Sequence, residues 1–330
     1  MWQIAVDEPA PFELLSPKSL DEALELAARH SIDCAFLAGG SDLLDQLKQQ
    51  SRAPRYVINL KTIPELRHVT SARNQVSIGA LTTIGELERS DEVRRLFPGL
   101  AMAASRVATP QLRNVGTLGG NLLQDSRCPY YRGPWYCYRA GGIQCDAHHG
   151  MNQEHAIFGG SRCYTVSPSD TAPALIALDA SVRIHGRIPR DISAEDLFVP
   201  PSENITIMHR VAAGEVLSDV TVPVRAGTRS TFIKFAMRNA WDFALASIAA
   251  ALRVENGIAR DVRIVLGGVA PIPWRSVAAE QEVQGKPLDP STIESAARAA
   301  VAGAHPLAYN EYKVALVTKL VRSALTELAE

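Results

Sequence analysis

Four of the five cysteines, Cys128, Cys137, Cys145 and Cys163, share one window of the chain with the spacing C-x8-C-x7-C-x17-C. Four thiolates are the donor set of a [4Fe–4S] cube or of a tetrahedral zinc ion. Structural zinc sites usually take their ligands from short C-x2-4-C chelate loops, and the window contains no such pair. The spacing therefore favours iron–sulfur, leaving zinc and unligated core cysteines as the other readings. His148, His149 and His155 lie in the same window and can replace a thiolate, although a loop histidine is more often simply solvated. Cys34 sits apart in an apolar strand and reads as core.

Two glycine-rich stretches form the second suggestive group. Gly39-Gly40-Ser41-Asp42 follows the short apolar strand Cys34 to Ala38 and precedes a helix opened by Leu43, Leu44 and Leu47. A glycine pair there leaves backbone N–H groups uncovered at a helix start, where the dipole favours an anion, so the turn has the makings of a phosphate cradle. Read without a ligand, it is a tight strand-to-helix reversal. The second stretch runs from Gln111 to Asn121, with Thr117 and Asn121 as side-chain hydrogen-bonders. Two such loops can grip the two ends of one pyrophosphate. There is no G-x-G-x-x-G after a strand and no G-x4-G-K-[ST], which argues against a Rossmann dinucleotide site and a P-loop hydrolase. No Ser/His/Asp set or G-x-S-x-G elbow supplies a hydrolytic nucleophile.

The elements that must position these residues are legible in outline. Ser19-Leu-Asp-Glu22 is a capping box that opens a helix with Leu20, Ala23, Leu24 and Ala27 on one face. Strands are expected at Tyr56 to Leu60 and Gln75 to Ala80, then a helix capped at Thr83-Ile-Gly-Glu86 and an alanine-rich helix from Leu100 to Val107. The cysteine window crowds Tyr130, Tyr131, Trp135, Tyr136 and Tyr138 among glycines with no sustained period, so it reads as a long loop that hydrophobic burial alone cannot hold. Asp170 is placed to N-cap the next helix, and Ser181 to His185 is a strand. From about residue 213 an antiparallel sheet is expected: Val216 to Val222, Ser230 to Met237, then Phe243 to Val254 turned by Asn256-Gly257 into Val262 to Leu266. Ala244 to Leu252 has helical propensity, but the hairpin turn that follows makes it a strand. Helices at Thr292 to Ala302 and Glu311 to Leu328 close the chain.

With 330 residues, 46% hydrophobic and 21% charged, the sequence has room for two or three ordinary globular domains. Lys and Arg balance Asp and Glu to a net charge of −1, which gives no reason to expect nucleic acid or membrane partners. No apolar run is long enough to span a bilayer, and the first residues show no basic stretch followed by an apolar one. The expectation is a chain without an export signal of its own, in a compartment where thiols stay reduced and clustered cysteines more often bind metal than pair.

Five motifs in order carry a family resemblance: Leu37-Ala-Gly-Gly-Ser-Asp-Leu-Leu44, Ile78-Gly-Ala80, Arg113-Asn-Val-Gly-Thr-Leu-Gly-Gly-Asn121, Asp170-Thr-Ala-Pro-Ala-Leu and Leu266-Gly-Gly-Val-Ala-Pro271. Together they resemble the FAD-binding medium subunit of the molybdenum hydroxylases, the xanthine dehydrogenase, carbon monoxide dehydrogenase and aldehyde oxidoreductase group. The resemblance implies an α+β fold: a vanillyl-alcohol-oxidase (PCMH)-type FAD-binding domain in two subdomains, residues 1–55 and 56–212, then a C-terminal domain of the CO dehydrogenase flavoprotein type, residues 213–330, with an antiparallel sheet and helices. It also implies roles. Backbone amides from Ala38 through Gly39, Gly40, Ser41 and Asp42 would hold the FAD pyrophosphate from one side, and Gly116, Thr117, Gly119, Gly120 and Asn121 from the other. Leu37, Leu43, Ile78, Thr109, Asn114 and Leu217 complete the implied cofactor-binding set. Asp170 would accept a hydrogen bond from a ribityl or ribose hydroxyl. Lys234, with Arg238 and Asp242, matches the family's K-x3-R-x3-D stretch, in which the lysine approaches the flavin and a cation favours the reduced, anionic ring. Without the family, Lys234 reads as a surface charge on a strand. Ser41 departs from the threonine or histidine common at its position but keeps a hydroxyl.

The cysteine insertion, residues 122–168, is similar to that of a subset of the family, the flavoprotein subunits of 4-hydroxybenzoyl-CoA reductase and bacterial aldehyde oxidoreductase, where it binds a [4Fe–4S] cluster through four cysteines. The resemblance thus implies an FAD and [4Fe–4S] electron-transfer subunit, with no catalytic acid or base of its own. It would take electrons from [2Fe–2S] clusters in a small partner, fed by a large molybdenum-cofactor partner, and deliver them to an external acceptor. It implies cytoplasmic assembly, with export only alongside a signal-bearing partner. The rival readings are a stand-alone FAD oxidoreductase of the same fold and a zinc-stapled nucleotide-binding module.

Overall fold

A computed structural model describes residues 8–330, so the N-terminal stretch read for an export signal lies, through residue 7, outside the described residues. The first unit comprises β1 (Glu13–Leu15), α1 (Leu20–His30), β2 (Cys34–Leu37), α2 (Leu43–Lys48) and β3 (Tyr56–Asn59), its strands forming a parallel sheet in the order β1-β3-β2. Ser19 Oγ accepts the Glu22 N–H at 3.2 Å, as expected, but the Glu22 carboxylate takes the Lys18 N–H at 2.6 Å, so the capping box closes one residue early. Ala23 and Ala27 of α1 bury against Ile58 and Ile63, which fixes β3 and with it the neighbouring β2 that leads into Gly39.

The second unit begins with β4 (Val69–Ala72) and β5 (Gln75–Gly79). Seven short helices follow: α3 (Ile84–Arg89), α4 (Asp91–Leu96), α5 (Pro98–Ser105), α6 (Pro110–Arg113), α7 (Leu118–Leu123), α8 (Pro129–Arg132) and α9 (Thr171–Ala177). Then come β6 (Ser181–His185), β7 (Arg190–Ser193) and β8 (Val216–Pro223). Thr83 and Glu86 form the expected reciprocal box at the start of α3. The sheet order is β4-β5-β8-β6-β7, all antiparallel. β8 therefore corrects the expectation that Val216 to Val222 joins the later strands: Val220 stands opposite both Ile78 and Val182. Its inward valines share one apolar face with Val76, Ile78 and Ile184, and a strand's neighbour is chosen by such a face rather than by sequence proximity.

The third unit is a sheet of β9 (Thr228–Phe235), β10 (Ala246–Glu255), β11 (Ile258–Gly267) and β12 (Trp274–Arg275) in the order β12-β11-β10-β9, with α10 (Val277–Val283), α11 (Pro290–Ala299) and α12 (Tyr312–Ala329). Asn256 and Gly257 both take positive φ, 52° and 78°, as the tight turn between β10 and β11 requires. β10 explains its own alanines. Ile248, Ala250 and Leu252 face the core shared with Val317 and Val321 of α12, while Ala249 and Ala251 face the second unit's core beside Val265. A strand covered on both faces must be apolar throughout, and small residues let helices approach from either side. On the neighbouring β9, α5 comes equally close at Gly99, where a Cβ would stand 3.1 Å from the Thr231 backbone. The architecture is α+β with an antiparallel C-terminal sheet, as expected.

The cysteine insertion is irregular apart from α8 and single helical turns at Tyr138–Ala140 and Asp146–His148. It is not wholly without apolar burial, contrary to the sequence reading: Ile157 and Phe158 enter the third unit's core, and their N–H groups donate to the Val269 carbonyl at 2.8 and 3.0 Å. Lys313 Nζ from α12 donates to the carbonyls of Glu154 and Gly268, both at 2.8 Å, which straps the insertion to the sheet.

Candidate functional site

The turn from β2 to α2 lies directly against the turn from α6 to α7. A Cβ on Gly39 would collide with the Val115 carbonyl oxygen and stand 2.9 Å from Gly116 Cα, so the loops meet backbone to backbone. Gly40 adopts φ 81°, the left-handed conformation that redirects the chain into α2. Thr117 accepts the Gly120 N–H at 3.1 Å, and Asn121 Oδ1 accepts from the hydroxyls of Ser169 and Thr171 at 2.7 and 2.6 Å, which pins α7 to the start of α9.

Two hollows flank this junction. The larger, about 570 Å³, is lined by Gly39, Gly40, Ser41 and Asp42 from one loop, by Gly116, Thr117, Gly120 and Asn121 from the other, and by Asp170. Ala38, Leu43, Gly119 and Leu217 line a smaller one of about 170 Å³, which shares the residues from Gly39 to Asp42. Five residues of the implied set line neither: Lys234, taken up below, and four others. Leu37 packs with Ala35 and Leu47, Ile78 is wholly buried in β5, Thr109 caps α6, and Asn114 accepts from Arg89 Nη1 at 3.3 Å. The sequence reading missed Ala108, Trp241 and Phe243, which also line the larger hollow. The Trp241 N–H donates to the Ala108 carbonyl at 3.0 Å, and both residues have positive φ, 64° and 43°. The available signal was a link between two strands carrying aromatics that no core claims.

Asp170 begins α9 with a helical φ and makes no side-chain cap; Ser169 Oγ takes the Ala172 N–H at 3.1 Å instead, which corrects the N-cap reading. The Asp170 carboxylate is committed to Lys234, whose Nζ donates to Oδ2 at 2.6 Å and to the carbonyls of Arg106 and Asp242 at 3.0 and 2.9 Å. Both residues are buried, so Lys234 is not a surface charge, and it stands behind Asp170 rather than in the lining of the hollow. Burial pushes the Asp170 carboxyl's pKa up while the Lys234 ammonium pulls it back, and the result stays above the ordinary carboxylate value. Arg238 Nε donates to Asp242 Oδ1 at 2.8 Å, so the K-x3-R-x3-D stretch is one hydrogen-bonded unit.

Three of the clustered cysteines sit at the starts of short helical turns, Cys128 before α8, Cys137 before Tyr138 and Cys145 before Asp146. Backbone amides lie near the sulfurs at these turns, although the Tyr131 and His148 N–H groups donate to the Cys128 and Cys145 carbonyls, both at 3.1 Å, rather than to sulfur. Cys128 and Cys163 lie within electrostatic reach of one another and of Cys137, and Cys145 is within reach of Cys137 and Cys163. Burial pushes the Cys128 thiol up to about 12, the Cys163 thiol up to about 11 and the Cys145 thiol upward as well, so these thiols are protonated at neutral pH unless a metal displaces the proton. Among the described residues, no three His, Cys, Asp or Glu side chains come together as a metal ion would need. The sulfurs are neighbours without forming a closed ligand set. His148 and His149 contact each other at 3.0 Å on the exposed side, whereas His155 Nε2 lies 3.3 Å from Cys128 Sγ. Burial, and secondarily Lys313, pushes the His155 pKa down to about 4.

The cysteine insertion and the glycine junction are joined. Asp42 accepts from Arg132 Nη2 at 2.8 Å, pairs with Arg127 at 3.1 Å and accepts the Asp125 N–H at 2.8 Å. A third hollow, about 470 Å³, has Cys128 and His155 in its lining and shares Arg127, Trp241, Asp242 and Phe243 with the largest.

Residues 10–225 match the family described as the FAD binding domain in molybdopterin dehydrogenase, and residues 231–328 match the CO dehydrogenase flavoprotein C-terminal domain. The chain is 34% identical over 309 residues to the aldehyde oxidoreductase FAD-binding subunit of Escherichia coli (strain K12), covering 92% of this chain and 93% of that one. It is 30% identical over 324 residues to the carbon monoxide dehydrogenase medium chain of Hydrogenophaga pseudoflava, with 96% of each covered. The solved structure of carbon monoxide dehydrogenase from Hydrogenophaga pseudoflava, in a form lacking the Mo-pyranopterin moiety of the molybdenum cofactor, aligns with a TM-score of 0.77 at 29% identity, covering 96% of this chain and 97% of that one.

Proposed function

The chain belongs to the FAD-binding medium subunits of the molybdopterin dehydrogenase family, and from that premise we propose that it is the FAD and [4Fe–4S] electron-transfer subunit of a heteromeric molybdenum-containing oxidoreductase. A large molybdenum-cofactor subunit and a small [2Fe–2S] subunit would be its partners, and assembly would take place in the cytoplasm.

The observation that carries the FAD reading is the backbone contact of Gly39 with Val115 and Gly116 beside a hollow of about 570 Å³. A Cβ would fill that junction, and its absence lets a diphosphate approach the first loop's backbone closely, while the N–H groups of Val115, Gly116, Gly119 and Gly120 in the second loop are already donated within the protein and hold its shape. Thr117 and Asn121 hold the second loop in place, and Asp170, kept company by Lys234, offers a carboxylate oxygen to a ligand hydroxyl. The Lys234 cation behind that wall favours negative charge gathering in the hollow, while Trp241 and Phe243 add an apolar, partly exposed wall. Bound FAD supplies a carrier that exchanges electrons in pairs or singly, which suits a subunit between one-electron centres and an external acceptor. The chain's task is then to position and tune cofactors, in keeping with the missing acid–base constellation.

Cys128, Cys137, Cys145 and Cys163 would hold the cluster. Supporting this are the placement of all four cysteines in one insertion and the sulfurs' mutual reach, which a polynuclear cluster, wider than a single ion, can bridge. The test is anaerobic purification of the full chain with flavin, iron, sulfide and zinc quantified per chain. One flavin and about four irons are expected for a [4Fe–4S] site. Cys145→Ser should lose iron and keep flavin. A colourless, iron-free chain after reconstitution would overturn the assignment, and zinc in place of iron would overturn its second half.

A further inference from the structure

The second glycine loop has spent much of its backbone on itself. The N–H groups of Val115 and Gly116 go to the Leu112 carbonyl, that of Gly119 to the Ala80 carbonyl and that of Gly120 to Thr117 Oγ1. What the loop can still offer a ligand must come chiefly from side chains, and Asn121 is buried yet lines the larger hollow. The two ends of its carboxamide have different fates. Oδ1 accepts from Ser169 Oγ at 2.7 Å and from Thr171 Oγ1 at 2.6 Å. Ser169 Oγ already accepts the Ala172 N–H at 3.1 Å, so its own proton is the part left for Asn121. Both hydroxyl residues are buried, and among the described residues neither hydroxyl has another acceptor. Turning the amide over would set its N–H groups against those two oxygens and strand both hydroxyl protons, so the network fixes the carbonyl end inward. The Nδ2 end donates to no group among the described residues and is left accessible.

We propose that Ser169 and Thr171 are positioning residues that aim the Asn121 carboxamide N–H groups into the larger hollow, where they donate to an acceptor atom of the bound dinucleotide. This rests on the FAD reading above and deepens it, because Asn121 serves there only to hold its loop. Ser169 and Thr171 flank Asp170, so one tripeptide at the start of α9 sets two complementary groups on the same wall: the Asn121 donor and the Asp170 carboxylate acceptor. A flavin dinucleotide presents both counterparts, acceptors in its ring nitrogens, carbonyls and phosphate oxygens, and donors in its sugar hydroxyls. A donor whose orientation is already fixed needs no further ordering when the ligand arrives.

The test uses the full chain, freed of flavin and titrated with FAD, as wild type, Asn121→Ala, Thr171→Val, Thr171→Ser and the double variant carrying Asn121→Ala and Thr171→Val. Flavin fluorescence reads the dissociation constant, and chemical denaturation of the ligand-free chains reads stability. Loss of one hydrogen bond predicts FAD binding about 2- to 12-fold weaker in Asn121→Ala. Thr171→Val should lose part of the same factor, and Thr171→Ser, which keeps the hydroxyl, should bind as wild type does. Because the threonine acts through the asparagine, Thr171→Val should cost no further affinity in the Asn121→Ala background. Wild-type affinity in Asn121→Ala overturns the proposal. So does an equal loss from Thr171→Val with and without Asn121→Ala, or from Thr171→Ser and Thr171→Val alike, since either would report packing alone. Should Asn121→Ala fail to fold, the contrast between Thr171→Val and Thr171→Ser still decides. A wild-type chain that binds no FAD removes the flavin reading itself, a distinct failure.

Discussion

The glycine junction and the cysteine insertion are neighbours built on opposite principles. The junction is closed by covalent geometry and packing: turns at Gly39-Gly40 and Val115-Gly116 touch through their backbones above cores that need no ligand. The insertion is held by long polar tethers, among them Arg132 to Asp42, Arg139 Nη1 to the Ile205 carbonyl at 3.1 Å, and Lys313 to the Glu154 carbonyl. Its polar atoms are also incompletely paired. Arg127 Nε, Arg132 Nη1, Arg139 Nε, Asp146 Oδ2 and His155 Nδ1 are all buried without a partner, and all belong to this insertion. The difference teaches that the first site is fixed by backbone contact and packing, whereas the second is fixed by polar tethers to its neighbours.

The most severe way to break that contrast is to remove a charge from the wall of the first site. Lys234→Met leaves Asp170 buried without its cation, and breaking a buried pair costs about 3–5 kcal/mol. Chemical denaturation should show a loss of this size together with poor flavin retention. A cost below about 1 kcal/mol, the range of an exposed pair, would mean that the wall does not rely on this pair. Next in size is Gly39→Ala, which forces a methyl group into the Val115 carbonyl. Overpacking of about 1–3 kcal/mol predicts flavin binding weaker by roughly 5- to 150-fold, with iron content unchanged. Equal loss of both cofactors would show that the two regions are one cooperative unit.

What could be read from the sequence was local. The Asn256-Gly257 hairpin, the box at Thr83 and Glu86, and the two glycine loops each declare themselves within a few residues, because turn chemistry and capping are short-range. The seating of Val216 to Val222 between β5 and β6 did not, since two distant strands had to supply its apolar face. Lys234 was unreadable for the same reason: a strand lysine becomes buried only if a carboxylate arrives, and Asp170 comes from a helix in another unit. Trp241 and Phe243 escaped because no periodicity marks an aromatic that lines a hollow, and Asp170 misled because Ser169, one residue earlier, reaches the same amide first.

A smaller effect separates the regions by pH. Burial, partly offset by Glu154, pushes the Lys313 pKa from the ordinary 10.5 down to about 7. Two carbonyls accept from its Nζ, which matches the two N–H groups of a neutral amine. Between these pKa values the unfolded chain holds more protons than the folded one, so stability rises with pH; below about 7 the full cost of charging is present. Relative to Lys313→Met, the wild-type chain should gain about 1 kcal/mol between pH 7 and 8. Proteolysis within residues 128–163 should slow in parallel, because this lysine ties down the insertion. Identical pH profiles for the two chains would show that the amine carries no buried charge to lose.

The mildest perturbation tests how the regions communicate. Arg127 pairs with Asp42 at 3.1 Å and Asp45 at 3.6 Å, and its guanidinium lies 5.3 Å from the centre of the Phe243 ring, touching the first glycine loop and the aromatic wall at once. Asp42 also holds Arg132, the more deeply buried of the two arginines, so Arg127→Gln leaves that carboxylate partnered. A partly exposed pair of this kind is worth about 0.5–1 kcal/mol, so flavin binding should weaken by only about 2- to 5-fold and iron content should not change. Arg132→Gln removes the better-buried tether and should do more, lowering the yield of iron as well as of flavin. If the order is reversed and Arg127→Gln strips both cofactors, the coupling between the glycine junction and the cysteine insertion runs through the Trp241–Phe243 wall rather than through Asp42.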